Sequence, residues 1–419
     1  MLLRFATAGL IVGLVLAGCG RDEPYQRTSP LPHEAFVWQR VWTSEVRDAV
    51  ESTGMEKLHV LAAEVRFDGK RPVVTRIQPH WPSLLRFKDH VGAVIRIHAS
   101  AAATGWDQDA SDSVVQLATS IRDQAAAEGL GHAEIQIDYD CPVSKLRDYT
   151  LLLSELRQAL PPDTVRITAL PSWLHPRHHD LSILDLLRLS PGYVLQVHSL
   201  HLPRDGGLTG LMDFEEARAA IARAVEIGIP FRVALPTYSC VVEFSEDGHV
   251  KDVHGEDLPS GFSLASERYA VLDSDAYALA DLVADWRSHA PELLQSIIWY
   301  RLPVSTDRLN WPAEVLPKIT RGDRLKRGWS VKLEPNAEGV HEVVLRQEGD
   351  APDDLPREIQ ITSVEAADGL RGYVIQGPPS GTISLWLPQP GRFGRVRPGE
   401  KVVAGWIRTA GSSEARILR

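Results

Sequence analysis

The chain has almost no cysteine, three residues in 419, at Cys19, Cys141 and Cys240. That excludes a disulfide-stapled scaffold and a redox pair of the C-x-x-C type. It has no excess of positive charge. Its net charge of −10 argues against a nucleic-acid partner, but not against a polar, uncharged ligand. No low-complexity tract is present. No G-x-G-x-x-G opens a helix, no G-x-S-x-G marks a serine elbow, and no H-E-x-x-H offers a helix-borne zinc site. The glycine-rich stretch 203–211 lacks the Lys-Ser or Lys-Thr of a phosphate loop and reads as a flexible lid. No cofactor is expected. What is present is the composition of a folded protein, 44% apolar and 24% charged, long enough for two domains.

The amino terminus is a separate piece. Arg4 precedes an apolar run from Phe5 to Leu16, followed by Leu16-Ala17-Gly18-Cys19. A positive start and an apolar stretch too short to span a bilayer comfortably are marks of a secretory signal peptide. Cys19 directly behind Leu-Ala-Gly resembles the bacterial lipobox. The resemblance implies removal of residues 1–18 and a diacylglyceryl group, with palmitate-like chains, on Cys19. The protein would then be lipid-anchored to the cell envelope, at the outer membrane facing the periplasm. Residues 19–34 read as a polar tether. Cys141 and Cys240 end strands expected on opposite sides of a barrel, so two buried free thiols are expected rather than a disulfide.

From Ala35 on, strand-like and helix-like runs alternate. Strands are predicted at 36–42, 59–65, 92–99, 133–140, 165–171, 193–199, 231–237 and 296–302. Amphipathic helices fall between them, with Ser111 or Asp112 capping the one after the third strand and Gly228 closing the one after the sixth. The second connection is the weakest; 71–77 reads as an extra strand. Eight strand–helix units predict an α/β fold, a (β/α)8 TIM-type barrel over 35–305. Residues 306–327 read as a linker. Residues 328–419 read as a small all-β, sandwich-like domain, with Trp386 and Trp406 as core residues rather than sugar platforms.

The stretch H-A-E-I-Q-I-D-Y-D-C-P, residues 132–142, organises the rest. Ile135, Ile137 and Tyr139 take one face; Glu134, Gln136, Asp138 and Asp140 take the other. In a closed parallel barrel the polar face points inward, and carboxylates two residues apart point the same way. Burying them together is costly unless they are paired or share a proton, which makes Asp138 and Asp140 the catalytic candidates. Barrel chemistry gathers where strands end, and there the sequence offers Trp38, Arg40, Glu64, Arg96, His98, Trp173, Gln196, His198, Tyr238, Trp299 and Arg301. A buried ion-pair lattice, with Arg96 or Arg301 neutralising Asp138, is the structural alternative and is compatible with function.

The segment Q-I-D-Y-D-C-P resembles the fourth strand of chitinase-like glycoside hydrolases (family 18), which ends D-x-D-x-E before an aromatic and Pro. Gln136 then stands at the first Asp, Asp138 at the second, Asp140 at the catalytic Glu and Pro142 at the Pro. Gln196 and His198 fall on the polar and tyrosine positions of strand six, and Trp299 on the tryptophan that floors the sugar site. The blocks I-Q-I-D-Y-D-C-P, I-T-A-L-P-S-W-L and L-Q-V-H-S-L are similar to a bacterial lipoprotein family known as domain of unknown function 3142 (DUF3142). These resemblances imply a glycan ligand. Asp140 would act as general acid at a glycosidic oxygen and Asp138 would raise its pKa. Gln136, Gln196, His198 and Tyr238 would bond the sugar; Trp38, Trp173 and Trp299 would stack on it. Glu64 and His98 are candidates for a second catalytic group.

Two other readings stay open. Aspartate in place of glutamate favours a non-catalytic carbohydrate-binding or scaffold lipoprotein. A metal-dependent hydrolase would use His98, Asp138, Asp140 and His198 as ligands. The cluster of His175, His178 and His179 reads as an exposed loop.

Overall fold

The computed structural model describes residues 29–69, 71–98, 107–131, 133–175, 181–198, 210–263, 266, 268–336, 340–378, 380–389, 394–409 and 411–418. The signal segment with Cys19, His178 and His179, and most of the 203–211 stretch lie outside the described residues.

Twelve strands build the first domain: β1 (His33–Val37), β2 (Lys57–Asp68), β3 (Arg71–Arg76), β4 (Val91–Ile97), β5 (Glu134–Tyr139), β6 (Val165–Ala169), β7 (Tyr193–Gln196), β8 (Phe231–Pro236), β9 (Ser239–Phe244), β10 (Val250–His254), β11 (Tyr269–Asp273) and β12 (Leu294–Tyr300). Eight of them pair side by side in the order β1-β12-β8-β7-β6-β5-β4-β2, and β1 also pairs with β2, so the sheet closes. Every pairing around the ring is parallel. This is the expected (β/α)8 barrel. β3 lies antiparallel on the far half of β2, as the 71–77 pattern predicts.

The helices follow from capping and spacing. They are α1 (Ser44–Ser52), α2 (Trp81–Leu84), α3 (Gln108–Ala127), α4 (Leu146–Ala159), α5 (Leu181–Arg188), α6 (Phe214–Ile227) and α7 (Ala276–His289). Asp213 and Asp275 accept the first free N–H groups of α6 and α7, a stabilisation of about 1 kcal/mol each. α3 is capped by Asp107 rather than by Ser111 or Asp112; the helix starts a turn early because Asp107 takes the Ala110 N–H at 3.1 Å. Gly228 ends α6 in the left-handed region, φ 75°, where a side chain would be strained. On α4 the buried Leu152, Leu153 and Leu156 join the shell between barrel and helices. Cys141 and Cys240 are buried and unbridged, as expected.

Two regions differ from expectation. After β8 the chain makes a three-stranded antiparallel sheet, β10-β9-β11, before α7. The stretch read as a linker contains α8 (Val315–Arg321), whose Val315, Leu316 and Ile319 are buried in the barrel's outer core together with Trp311. It belongs to the barrel body.

The C-terminal region is a seven-stranded antiparallel sheet around its own core: β13 (Trp329–Pro335), β14 (Val340–Gln347), β15 (Glu358–Gly369), β16 (Val374–Gln376), β17 (Gly381–Trp386), β18 (Lys401–Thr409) and β19 (Ala415–Ile417). The long β15 carries register shifts that let its first half pair with β17 and β19 and its second half with β18. Trp386 and Trp406 are half-buried. This domain is tied to the barrel. Tyr277 Oη donates to Ala351 O (3.0 Å) and accepts from Ala351 N–H (3.2 Å), while Arg327 lies 4.0 Å over its ring. Arg395 bonds Asp273 and Asp275 on the barrel.

Candidate active site

The barrel interior is layered. At its floor, where strands begin, Glu34, Lys57, Glu134, Arg166 and Arg232 meet around His59. Glu134 takes bonds from Lys57 (2.8 Å), Arg166 (2.9 Å) and Arg232 (2.9 Å); His59 Nε2 donates to Glu34 (2.6 Å). Burial works against both carboxylates, but their partners outweigh it and hold Glu34 at about 2 and Glu134 well below the usual range. Three cations already exceed two carboxylates, so burial keeps His59 neutral. Gly92 is needed beside it: a Cβ there would sit 2.7 Å from the His59 ring. Above the floor come Phe36, Leu61, Val94, Val194, Ala234 and Ile298. Gln136 shares this level; it is wholly buried and its amide donates to Thr168 Oγ1 at 3.0 Å. Its Oε1 is buried without a partner.

At the opposite, C-terminal end of the strands, β5 delivers Asp138 and Asp140. Asp138 faces Arg96 across the β4–β5 pairing, 4.0 Å from its guanidinium. That guanidinium lies 5.6 Å from the centre of the Trp38 ring. Asp140 Oδ1 is buried with no hydrogen-bond partner. Burial, and then the neighbouring Asp138 carboxylate, push the Asp140 carboxyl up to about 6, with Arg96 pulling the other way. An acid poised near neutrality at the C-terminal end of a barrel strand is chemically useful: it holds a proton and gives it up.

Aromatic rings enclose the same end. Tyr300 stacks on His198 (5.3 Å, 25°) and meets Trp38 (5.0 Å) and Tyr238 (5.3 Å) edge-on. Both ring nitrogens of His198 are buried without a partner, and burial pushes its pKa down to about 3. It is therefore a neutral imidazole offering one donor and one acceptor. Burial raises the Tyr238 and Tyr300 hydroxyls, which remain protonated donors. Gln196 ends β7 half-buried, two residues beyond the interior Val194.

Glu64 and His98 reach the rim but face each other. Arg40 clamps Glu64 through two bonds (2.6 and 3.1 Å) and also bonds Glu256, and His98 Nε2 lies 3.6 Å from Glu64. Burial opposes the charge on Glu64, but the Arg40 clamp outweighs it and holds the carboxyl down. A carboxylate so held is a poor base. Among the described residues no three His, Cys, Asp or Glu side chains converge on a metal position, so the His98–Asp138–Asp140–His198 set does not form.

Two expected sugar platforms are elsewhere. Trp299 pairs with Ala35 on the outward parity of β12; its indole N–H donates to His33 (3.1 Å) under the helices. Trp173 sits in a short 3-10 turn, Pro171–Leu174, with its N–H on Cys141 O (2.9 Å), fully buried in the outer shell. Tyr300 takes the inward position that Trp299 was expected to hold. Its signal was the alternation Ser296, Ile298, Tyr300 within an otherwise apolar run.

A closed β/α barrel with two carboxylates and a ring of aromatic groups at the C-terminal rim is the class that this fold and site define. The chain belongs to the family described as domain of unknown function (DUF3142), whose model matches residues 79–305. A second model, domain of unknown function (DUF8456), matches residues 330–410 of the C-terminal sheet. No curated protein matches the chain. Among solved structures it is similar to the spore cortex-lytic enzyme SleL of Bacillus megaterium QM B1551, at 12% identity and TM-score 0.47, covering 72% of this chain and 75% of that one. Chitinase ChiA74 from Bacillus thuringiensis gives 9% identity and TM-score 0.47 over 92% and 100%. The chitinase of Chromobacterium violaceum gives 11% and 0.46 over 70% and 98%. Likeness at this level carries no argument about activity.

Proposed function

We propose that the barrel mouth binds a glycan and that Asp140 acts on it as a general acid. The observation that carries this is a carboxyl pushed up to about 6, with an unpartnered oxygen, at a rim walled by Trp38, Tyr238, Tyr300 and His198. Rings of that kind cover the apolar face of a sugar, and the neutral imidazole and phenols bond its hydroxyls. Protonated Asp140 gives its proton to the glycosidic oxygen as the C–O bond breaks. Water adds to the sugar carbon, and its surplus proton restores Asp140, so the net change is hydrolysis. Asp138, facing Arg96, supplies the negative charge that keeps the Asp140 proton in place. The test is a glycan array followed by product analysis with the intact protein and Asp140→Asn. Cleavage lost with binding kept supports the acid role; unchanged turnover in the variant removes it. Binding by both forms with cleavage by neither supports a purely binding barrel.

We propose separately, from the lipobox-like Leu16-Ala17-Gly18-Cys19, a lipid anchor at Cys19 in the bacterial envelope. No described helix is long and apolar enough to cross a membrane. Metabolic labelling with a palmitate analogue should mark the wild type and not Cys19→Ala; labelling of both would overturn the anchor.

A further inference from the structure

Beside the mouth, a cavity of about 560 Å³ runs from Trp38 past Arg40 and Glu256 to Leu258 and Arg308. Leu258 and Arg308 also line a larger cleft of about 860 Å³ between the barrel and the C-terminal sheet. The two spaces therefore adjoin. Trp38 is the ring that meets Tyr300 and lies under Arg96 at the Asp140 site, so the path begins where the chemistry is proposed.

The larger cleft has an unusual charge for a chain of net charge −10. Arg308 enters it from the barrel side; Arg371 and Lys401 enter from the C-terminal domain; no acidic side chain lines it among the described residues. Lys401 is paired with Glu334 at 2.9 Å. Arg308 and Arg371 have no side-chain partner among the described residues. Both are exposed, so water and salt screen their repulsion, and each guanidinium is free to take an anion that enters the cleft. Guanidinium is also the group best shaped to take a carboxylate by two parallel bonds. Leu258, Phe262 and Leu370 complete the walls, and Leu370 is 43% exposed. Apolar surface beside cations suits the ring faces of a sugar whose substituents are acidic.

We infer that the glycan is an extended chain bearing carboxylates, with one sugar in the barrel mouth and an acidic sugar further along held between Arg308 and Arg371. This rests on the glycan reading of the mouth. It gives the C-terminal sheet a part in substrate choice: that sheet supplies one half of the clamp.

The experiment is calorimetric binding of the full chain to hexasaccharides in matched pairs. Oligoglucuronate is set beside cello-oligosaccharide, both β-1,4-linked, and oligogalacturonate beside α-1,4-linked galactose oligomers, at low and at high salt. The acidic member of a bound pair should bind at least about tenfold more tightly, and salt should shrink the preference. Arg308→Gln with Arg371→Gln should remove most of that preference, the loss falling on the acidic member of each pair. Neither arginine side chain has a structural partner among the described residues, so the variant should fold; its melting curve checks this. Equal affinity within each bound pair, or a preference that survives in the double variant, overturns the clamp and leaves the mouth reading intact. Failure of the protein to bind any member overturns the clamp; the mouth reading falls only if the glycan array also shows no binding. If glycans bind with acidic preference but Asp140→Asn does not change turnover, only the proposed acid role falls.

Discussion

The two ends of the barrel hold the same kinds of side chain and treat them in opposite ways. At the floor, Glu34 and Glu134 each meet cations or a donor at 2.6 to 2.9 Å, and the carboxyls are held down. At the mouth, Asp138 meets Arg96 only at 4.0 Å, one Asp140 oxygen is unpartnered, and the Asp140 carboxyl is pushed up. His59 is bonded to Glu34 while His198 has neither nitrogen bonded. The floor is not free of unmet atoms, since His59 Nδ1 and Arg166 Nη1 are buried without a bonded partner, but its carboxylates are matched to cations; a carboxylate left unmatched at the other end marks that end as the working one. Unmet polar groups cost stability, and a ligand is what meets them.

The largest test of that contrast is catalytic. Asp140→Asn keeps the shape of the mouth and removes the transferable proton, so hydrolysis of a responsive glycan should fall by about 10² to 10⁴-fold with affinity little changed. Full activity in the variant would show that the raised carboxyl is a by-product of crowding.

Stability should respond most at the floor. Glu134→Ala strands Lys57, Arg166 and Arg232 in the barrel interior, and should cost about 3–5 kcal/mol in denaturant unfolding. Where the protein remains folded, glycan affinity should be unaffected. A small loss, under about 1 kcal/mol, would mean that water reaches the floor and that the ends are less distinct than their geometry indicates.

The ends should also respond to acid with opposite sign. Glu34 titrates at about 2 folded against 4.5 as a free group. Its contribution is full above 4.5 and is lost as pH falls toward 2, about 3 kcal/mol in all. Asp140 titrates at about 6 against 3.8. The folded state holds that proton more tightly, so stability is lost as pH rises from 3.8 through 6, by about 2 kcal/mol after solvent screening. Melting curves across that range should therefore show Asp140→Asn above wild type at pH 7 and level with it near pH 4. Glu34→Gln should fall below wild type at pH 7, with the gap closing in acid. Parallel pH profiles for all three proteins would remove the contrast.

How much of this was legible in the sequence depends on where the information sits. The alternation in residues 134–140 is local, and it located both carboxylates and the inward face of β5. The strand order followed from strand–helix repetition. The floor cluster was missed because Glu34, Lys57, Glu134, Arg166 and Arg232 come from five strands, β1, β2, β5, β6 and β8, and only closure brings them together. The family resemblance puts Trp299 at the sugar floor, but Ile297, Ile298, Trp299 and Tyr300 are apolar or aromatic on both faces, so local pattern does not choose; pairing with β1 and β8, the latter with a register shift, turns Trp299 outward. Trp173 was misplaced because β6 ends at Ala169 and the chain turns before the indole. The 239–273 sheet was missed because Ser239–Phe244 follows β8 almost without punctuation.

The smallest expected effect on stability lies at His198, and it separates a binding role from a packing role. Its ring stacks on Tyr300 and meets Tyr238 edge-on, so phenylalanine keeps both contacts. What phenylalanine removes is a pair of buried nitrogens that the protein leaves unbonded, and burying unmet polar atoms is unfavourable. His198→Phe should therefore leave stability within about 1 kcal/mol of wild type, on either side. It should weaken glycan binding about tenfold through lost hydrogen bonds. A variant destabilised well beyond that with affinity intact would assign the imidazole to the frame of the barrel, and the unmet groups at the mouth would reduce to the carboxyl of Asp140.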